Sequence, residues 1–176
     1  MKKDVLMYGL LLLLIAFGVY QWMSRPKLAY VELDKVYSGF DLKKKLEKKL
    51  ENVLQSRKTV IDSMEVQLKA LSGLIGTMNE KDPVRRMKIE EFEYKKQAYF
   101  QKKKMFEEDN QRASQDYDQQ VWKQLNQFVK DYGKQQAYDY LFGAEGSGSL
   151  MYAKDAHNIT EEVTNYVNQR YSGEGK

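Results

Sequence analysis

Between residues 46 and 138 the chain carries two long runs of helical apolar spacing, interrupted once at "MNEKDPVRR". From Leu46 onward, apolar residues recur at a 4-3 interval. Leu46, Val53, Val60 and Leu74 fill one heptad position, with Gln67 the exception; Leu50, Met64, Leu71 and Met78 fill the other, with Arg57 the exception. A pattern held that long predicts a coiled-coil seam, and the two polar residues predict a loose stretch within it. At the interruption Asp82 can cap a helix and Pro83 suits a first helical position, so a second helix is predicted from there to about Tyr138. Its seam includes Ile89, Phe92, Tyr99, Phe106, Ala113, Tyr117, Val121, Leu125, Phe128 and Tyr132, interrupted by Lys96, Lys103 and Asn110. Two helices joined by so short a break most simply fold into an antiparallel hairpin, with its tip at residues 79–83 and a first leg of about 55 Å. The second pattern outruns the first, and its surplus, residues 121–138, is assigned to the rest of the protein.

Strand signals occur only outside this helical run. "LAYVELDKVY", from Leu28, is dense in β-formers and reads as one strand over residues 28–33, with Glu32 and Asp34 at its solvent side. A lone strand is not stable in water. The other β-like runs are residues 138–144 and 150–153, separated by the flexible "EGSGS". The first strand is therefore predicted to pair with them across the helical excursion, because a hairpin returns the chain to its start. A final amphipathic helix carries Ile159, Val163, Tyr166, Val167 and Tyr171 near one face, with Asn158 and Glu161 spaced as a capping box. The fold class is thus α+β: a small body of about three short strands, with a long protruding antiparallel helical hairpin. Its parts are residues 1–27, an N-terminal membrane anchor or signal segment; residues 28–40, the first part of the body; residues 41–137, the hairpin; and residues 138–176, the remainder of the body with the last helix. So small a core predicts self-association.

Residues 5–23 contain no charge, and at 1.5 Å per residue they reach about 28 Å, close to the thickness of a bilayer's hydrocarbon. Tyr20 and Trp22 sit where an interfacial aromatic belt would fall. A cleaved signal peptide has a shorter apolar stretch and a small-residue cleavage site, which "GVYQWMS" supplies poorly. An uncleaved membrane anchor is the expectation. Basic residues on both flanks leave orientation unsignalled.

Charge is uneven along the hairpin. Residues 81–104 hold nine basic and four acidic side chains, interleaved with Met87, Phe92, Tyr94, Tyr99, Phe100, Met105 and Phe106. Basic groups draw in acidic partners, and Met and aromatic side chains give apolar contact without one fixed geometry. Arg85, Arg86, Lys88, Phe92, Lys95, Tyr99, Phe100, Lys103 and Phe106 are the candidate binding residues. The competing reading makes the aromatics the hairpin's own seam and the lysines its solvated face.

No catalytic constellation is visible. The chain has no cysteine, which excludes disulfides, thiolate catalysis and cysteine-type zinc sites. Its one histidine, His157, lacks evident metal or triad partners and reads as a turn position. Glu107, Glu108 and Asp109 cannot share one helical face. The glycines of "EGSGS" match no phosphate-binding pattern. Asn158-Ile159-Thr160 is a formal glycosylation sequon that reads as helix capping. A net charge of +4 is thin for nucleic-acid binding. The protein is expected to be no enzyme and to need no cofactor or metal.

"LAYVELDKVYSGF" followed by a Lys-rich helix resembles the start of the OmpH/Skp family of periplasmic chaperones, and "YLFGAEGSGSLMYAKDAHNITEEVTNYVNQRY" resembles its end. The order of elements is similar from about Leu28 to Tyr171. The resemblance implies a homotrimer whose strands form a β-barrel body and whose three hairpins enclose unfolded outer-membrane proteins, without catalysis. It also implies the periplasmic side of the cell envelope, with residues 5–23 then an inner-membrane anchor; that anchor-like N-terminus departs from the family's soluble members. The rival expectation is a membrane-anchored coiled-coil scaffold or envelope-assembly protein with one folded partner.

Overall fold

The computed structural model describes residues 2–23, 25–145 and 150–173; of the first helix it describes the side chains of residue 7 and residues 11–21. The elements run α1 (Lys2–Met23), β1 (Leu28–Glu32), α2 (Leu33–Gly39), α3 (Asp41–Thr77), α4 (Pro83–Gln135), β2 (Tyr140–Ala144), a 3-10 turn (Asp155–His157) and α5 (Thr160–Ser172). They divide into two compact units: Met1–Tyr37 with Gln127–Lys176, and Ser38–Asn126.

In the first unit β1 and β2 pair in parallel, with Leu28 opposite Tyr140 and Glu32 opposite Ala144. Parallel strands require a long crossover, and the helical excursion supplies it. Lys27 secures this junction. Its N–H donates to Asp139 Oδ2 at 2.6 Å, its carbonyl accepts from the Asp139 N–H at 3.0 Å, and its Nζ donates to the Gln136 carbonyl at 2.7 Å. The last contact places a cation at the electronegative end of α4. There α4 closes in a Schellman arrangement: the Tyr138 N–H reaches the Gly133 carbonyl at 2.9 Å, and Ala137 takes the left-handed conformation at φ 53°.

One face of the sheet, carrying Ala29 and Val31, is buried. Val36, Tyr132, Ile159, Val163 and Val167 complete the core of this unit. Gly133 and Gly143 let the layers approach: a Cβ on Gly133 would lie 3.2 Å from Leu141, and one on Gly143 only 2.4 Å from Leu33. The opposite face stays open, with Leu28, Tyr140 and Phe142 exposed and the last two rings stacked 6.1 Å apart. An apolar cavity of about 160 Å³ lies there between Leu28, Tyr30, Phe142, Leu150, Ala153 and His157.

Several expectations change. The first strand ends at Glu32, so Asp34 lies in helix α2 and not on the strand. Residues 150–153 form no strand in this single chain. On that side of β1 the ladder consists of a single parallel bridge from Tyr30 to Asn158. The Glu32 N–H donates to Thr160 Oγ1 at 2.9 Å. Asn158 does cap α5, but by accepting from the Thr160 N–H at 3.0 Å within an Asx turn, with no side-chain bond from the N-cap residue Ile159. The sequon amide is occupied as well, donating to Glu32 at 3.1 Å. Residues 146–149 of the expected flexible turn lie outside the described residues. Among the described residues no helix is long and apolar enough to cross a membrane. The bilayer-spanning reading of residues 5–23 therefore has no support, part of that stretch lying outside the described side chains.

The second unit is an antiparallel hairpin. Arg57 donates to Asn110, Tyr99 donates to Glu65, and the Lys49 ammonium lies 5.8 Å from the Tyr117 ring. This register sets buried Leu46 opposite Val121 and buried Leu42 opposite Leu125. The turn falls where the break in periodicity placed it, and Asp82 Oδ1 caps α4 by accepting from the Val84 N–H at 2.8 Å. The seam of α3 differs from the heptad reading. The inward positions are 42, 46, 50, 53, 57, 61, 64, 68, 71, 75 and 78, whereas Val60, Gln67 and Leu74 are exposed. One heptad row, begun by Leu46 and Val53, leaves the seam after two repeats, while the other, residues 50, 57, 64, 71 and 78, stays inward throughout. Ile61, Leu68 and Ile75 take over as the apolar side chains facing inward.

Candidate functional site

The outer part of the hairpin combines cations and apolar groups on α4. Its sequence explains why they divide between two sides. Phe92, Tyr99 and Phe106 recur every seven residues on the seam side. Each is roofed by a lysine: Lys96 over Phe92 at 5.8 Å, Lys103 over Tyr99 at 6.0 Å, and Lys102 over Phe106 at 5.5 Å. This accounts for Lys96 and Lys103, which interrupt the predicted seam: each places its ammonium group over a seam ring from the helix surface. Arg57, the polar residue within the α3 seam, lies over Phe106 at 5.2 Å, bonds Asn110 and stands 3.7 Å from Asp109. The two legs are therefore joined there by a polar layer.

The nine candidate residues fall into three groups. Arg86, Phe100 and Lys103 are exposed; Arg85, Lys88, Phe92, Lys95 and Phe106 are half-buried; Tyr99 is buried, at 8% exposure. The Tyr99 hydroxyl donates to Glu65, and this bond, with desolvation, raises its pKa above the ordinary tyrosine value. Tyr99 is thus a seam residue in this chain. The most exposed apolar groups there are instead Tyr94 at 75%, Met87 at 67% and Phe100 at 58%, followed by Val84 at 45% and Met105 at 41%. Met87 and Met105 are about five helical turns apart and Tyr94 falls between them, so the three share one side of α4. Phe100 lies on another. Seven-residue spacing from Met87 to Tyr94, out of phase with Phe92 and Tyr99, is the signal that separates this stripe from the seam.

Many of the cations are paired along the helix. Arg86 meets Glu90 at 3.3 Å, Lys88 meets Glu91 at 2.8 Å, and Lys96 meets Glu93 at 3.4 Å. The Lys88 hydrogen bond holds the Glu91 carboxyl below its ordinary pKa, with Lys95 adding to it. Exposed pairs of this kind contribute little to stability. They keep the surface charged and hydrated around its apolar patches. Among the described residues no group of His, Cys, Asp and Glu is placed to hold a metal ion.

Comparison with known proteins gives a consistent result. The family model for "Outer membrane protein (OmpH-like)" matches residues 27–167. The chain is 26% identical over 172 residues to the chaperone protein Skp of Pectobacterium atrosepticum, covering 95% of this chain and 99% of that protein. Its fold is similar to the crystal structure of an OmpH-like outer membrane chaperone from Caulobacter crescentus CB15. The TM-score is 0.68 at 16% identity, over 84% of this chain and 86% of that one.

Proposed function

Because this chain belongs to the OmpH-like family of outer membrane proteins, we propose that it is a holdase chaperone of the cell envelope, on the periplasmic side. In this reading it binds unfolded outer-membrane proteins without ATP and without catalysis. The observation that supports this most is the exposed surface of α4, where Met87, Tyr94 and Met105 on one side and Phe100 on another stand in water, with Arg86, Lys95 and Lys103 on the same stretch of helix. A folded partner of one shape selects a fixed, well-filled surface. An unfolded chain is better met by separate flexible or aromatic groups with cations between them. Positive charge also raises the rate of encounter with acidic chains, and this part of the attraction weakens with salt.

The reading includes a homotrimer. A two-stranded sheet with one open apolar face is marginal alone, and β2 has an unpaired edge among the described residues. Further copies of the chain would cover both and present three hairpins to one client.

The test is dilution of a denatured porin from urea, followed by light scattering with the full chain present at one trimer per porin and no nucleotide. Suppressed scattering is expected, with native-mass light scattering giving three chains. Undiminished scattering at that ratio contradicts the holdase reading.

A further inference from the structure

Met87 and Met105 stand alike on one side of α4, exposed, with exposed Tyr94 between them. The other two methionines of the hairpin, Met64 and Met78, are half-buried. The chain has no cysteine, so no thiol intercepts an oxidant before the thioethers do. We infer that Met87 and Met105 are an oxidation-sensitive pair, and that their conversion to sulfoxide weakens the hairpin's grip on apolar chains. The inference rests on the holdase reading and adds regulation to the same surface.

The chemistry needs a two-electron oxidant of the peroxide class. A sulfur lone pair attacks the outer peroxide oxygen, an S–O bond forms and the O–O bond breaks. The remaining oxygen leaves as water after proton transfer. Sulfur loses two electrons and the peroxide gains them. The product replaces a soft apolar group with a strongly polar one. On a surface that holds its clients through adaptable apolar contacts, that change removes contact area without disturbing the fold, because both side chains lie outside the seam. Methionine sulfoxide reduction reverses it.

The experiment treats the full chain with hydrogen peroxide, maps sulfoxides by peptide mass, and measures the amount of protein that half-suppresses porin scattering. Met87 and Met105 are expected to convert before Met64 and Met78, and the amount required to rise about fivefold. Dithiothreitol with methionine sulfoxide reductases of both epimer specificities is expected to restore it. The double variant Met87→Leu/Met105→Leu is compared with itself before and after peroxide. Its requirement is expected to change less than about twofold, although its Met151, at 87% exposure, is oxidised. Oxidation of Met87 and Met105 with no change in requirement overturns the inference. So does a leucine variant that loses as much as the parent, or conversion of Met64 and Met78 first. An untreated parent that fails to hold porin is a separate result, which removes the holdase reading and this inference together.

Discussion

Phe40→Ala is expected to destabilise the protein by about 3–5 kcal/mol. Phe40 sits between α2 and α3 with an extended backbone, φ −74° and ψ 123°, and its carbonyl accepts from the Lys44 N–H at 3.3 Å. Its side chain is 0% exposed. Truncation removes the transfer energy of a whole ring and leaves a void that two helix ends, held by their own hydrogen bonds, cannot close. Domains are stable by only about 5–15 kcal/mol, so this one change consumes a large part of the margin. Urea unfolding followed by circular dichroism measures it. Phe40→Leu keeps most of the volume and should lose much less. A loss below about 1 kcal/mol for the alanine variant would show that the ring is not a core element.

The second large effect is on client holding. Met87→Ser, Tyr94→Ser and Phe100→Ser combined should raise the protein needed for half-suppression of porin scattering by about tenfold or more. These side chains are the most exposed apolar groups of α4 and lie outside the inward positions, with the Phe100 ring edge-on to Tyr99 at 5.2 Å. Unfolding should therefore shift by no more than about 0.5 kcal/mol per site, as for ordinary surface substitutions. Tyr99→Phe is the contrasting change. It removes the hydroxyl bonded to Glu65 and should alter the stability of the hairpin while leaving the outward apolar groups in place. Holding that survives the triple change would place the client elsewhere.

Much of this architecture is legible in the residues. Asp82 and Pro83 mark the turn. The seven-residue recurrence of Phe92, Tyr99 and Phe106 marks the inner side of α4. The β-rich run at Leu28 requires a distant partner, and β2 provides it. What local pattern leaves unread depends on distance and phase. One heptad row fails at Val60 and Leu74, where the seam steps by one residue to Ile61, Leu68 and Ile75, while the row of Leu50, Met64 and Leu71 holds. Asp34 reads as strand because a β-rich run continues past Glu32, whereas the chain turns into α2 at Leu33. Residues 150–153 have strand-like composition but pair with no strand among the described residues, and composition alone does not supply a ladder partner. The roles of Arg57 and Lys103 were hidden for a similar reason. Each looks like a defect in a seam until the opposing leg or a neighbouring ring is in place. The candidate site was legible as a composition, basic and aromatic, but its split into seam and surface required the register of the two legs.

The central claim is that the outward side of α4 touches clients only while they are unfolded. It is tested most directly by placing a photo-crosslinking phenylalanine analogue at Tyr94 and mixing the protein with porin, either freshly diluted from urea or already folded. The account predicts adducts spread over many porin segments with the unfolded chain and none with the folded barrel. Equal crosslinking to both, or no adduct with either, would contradict it.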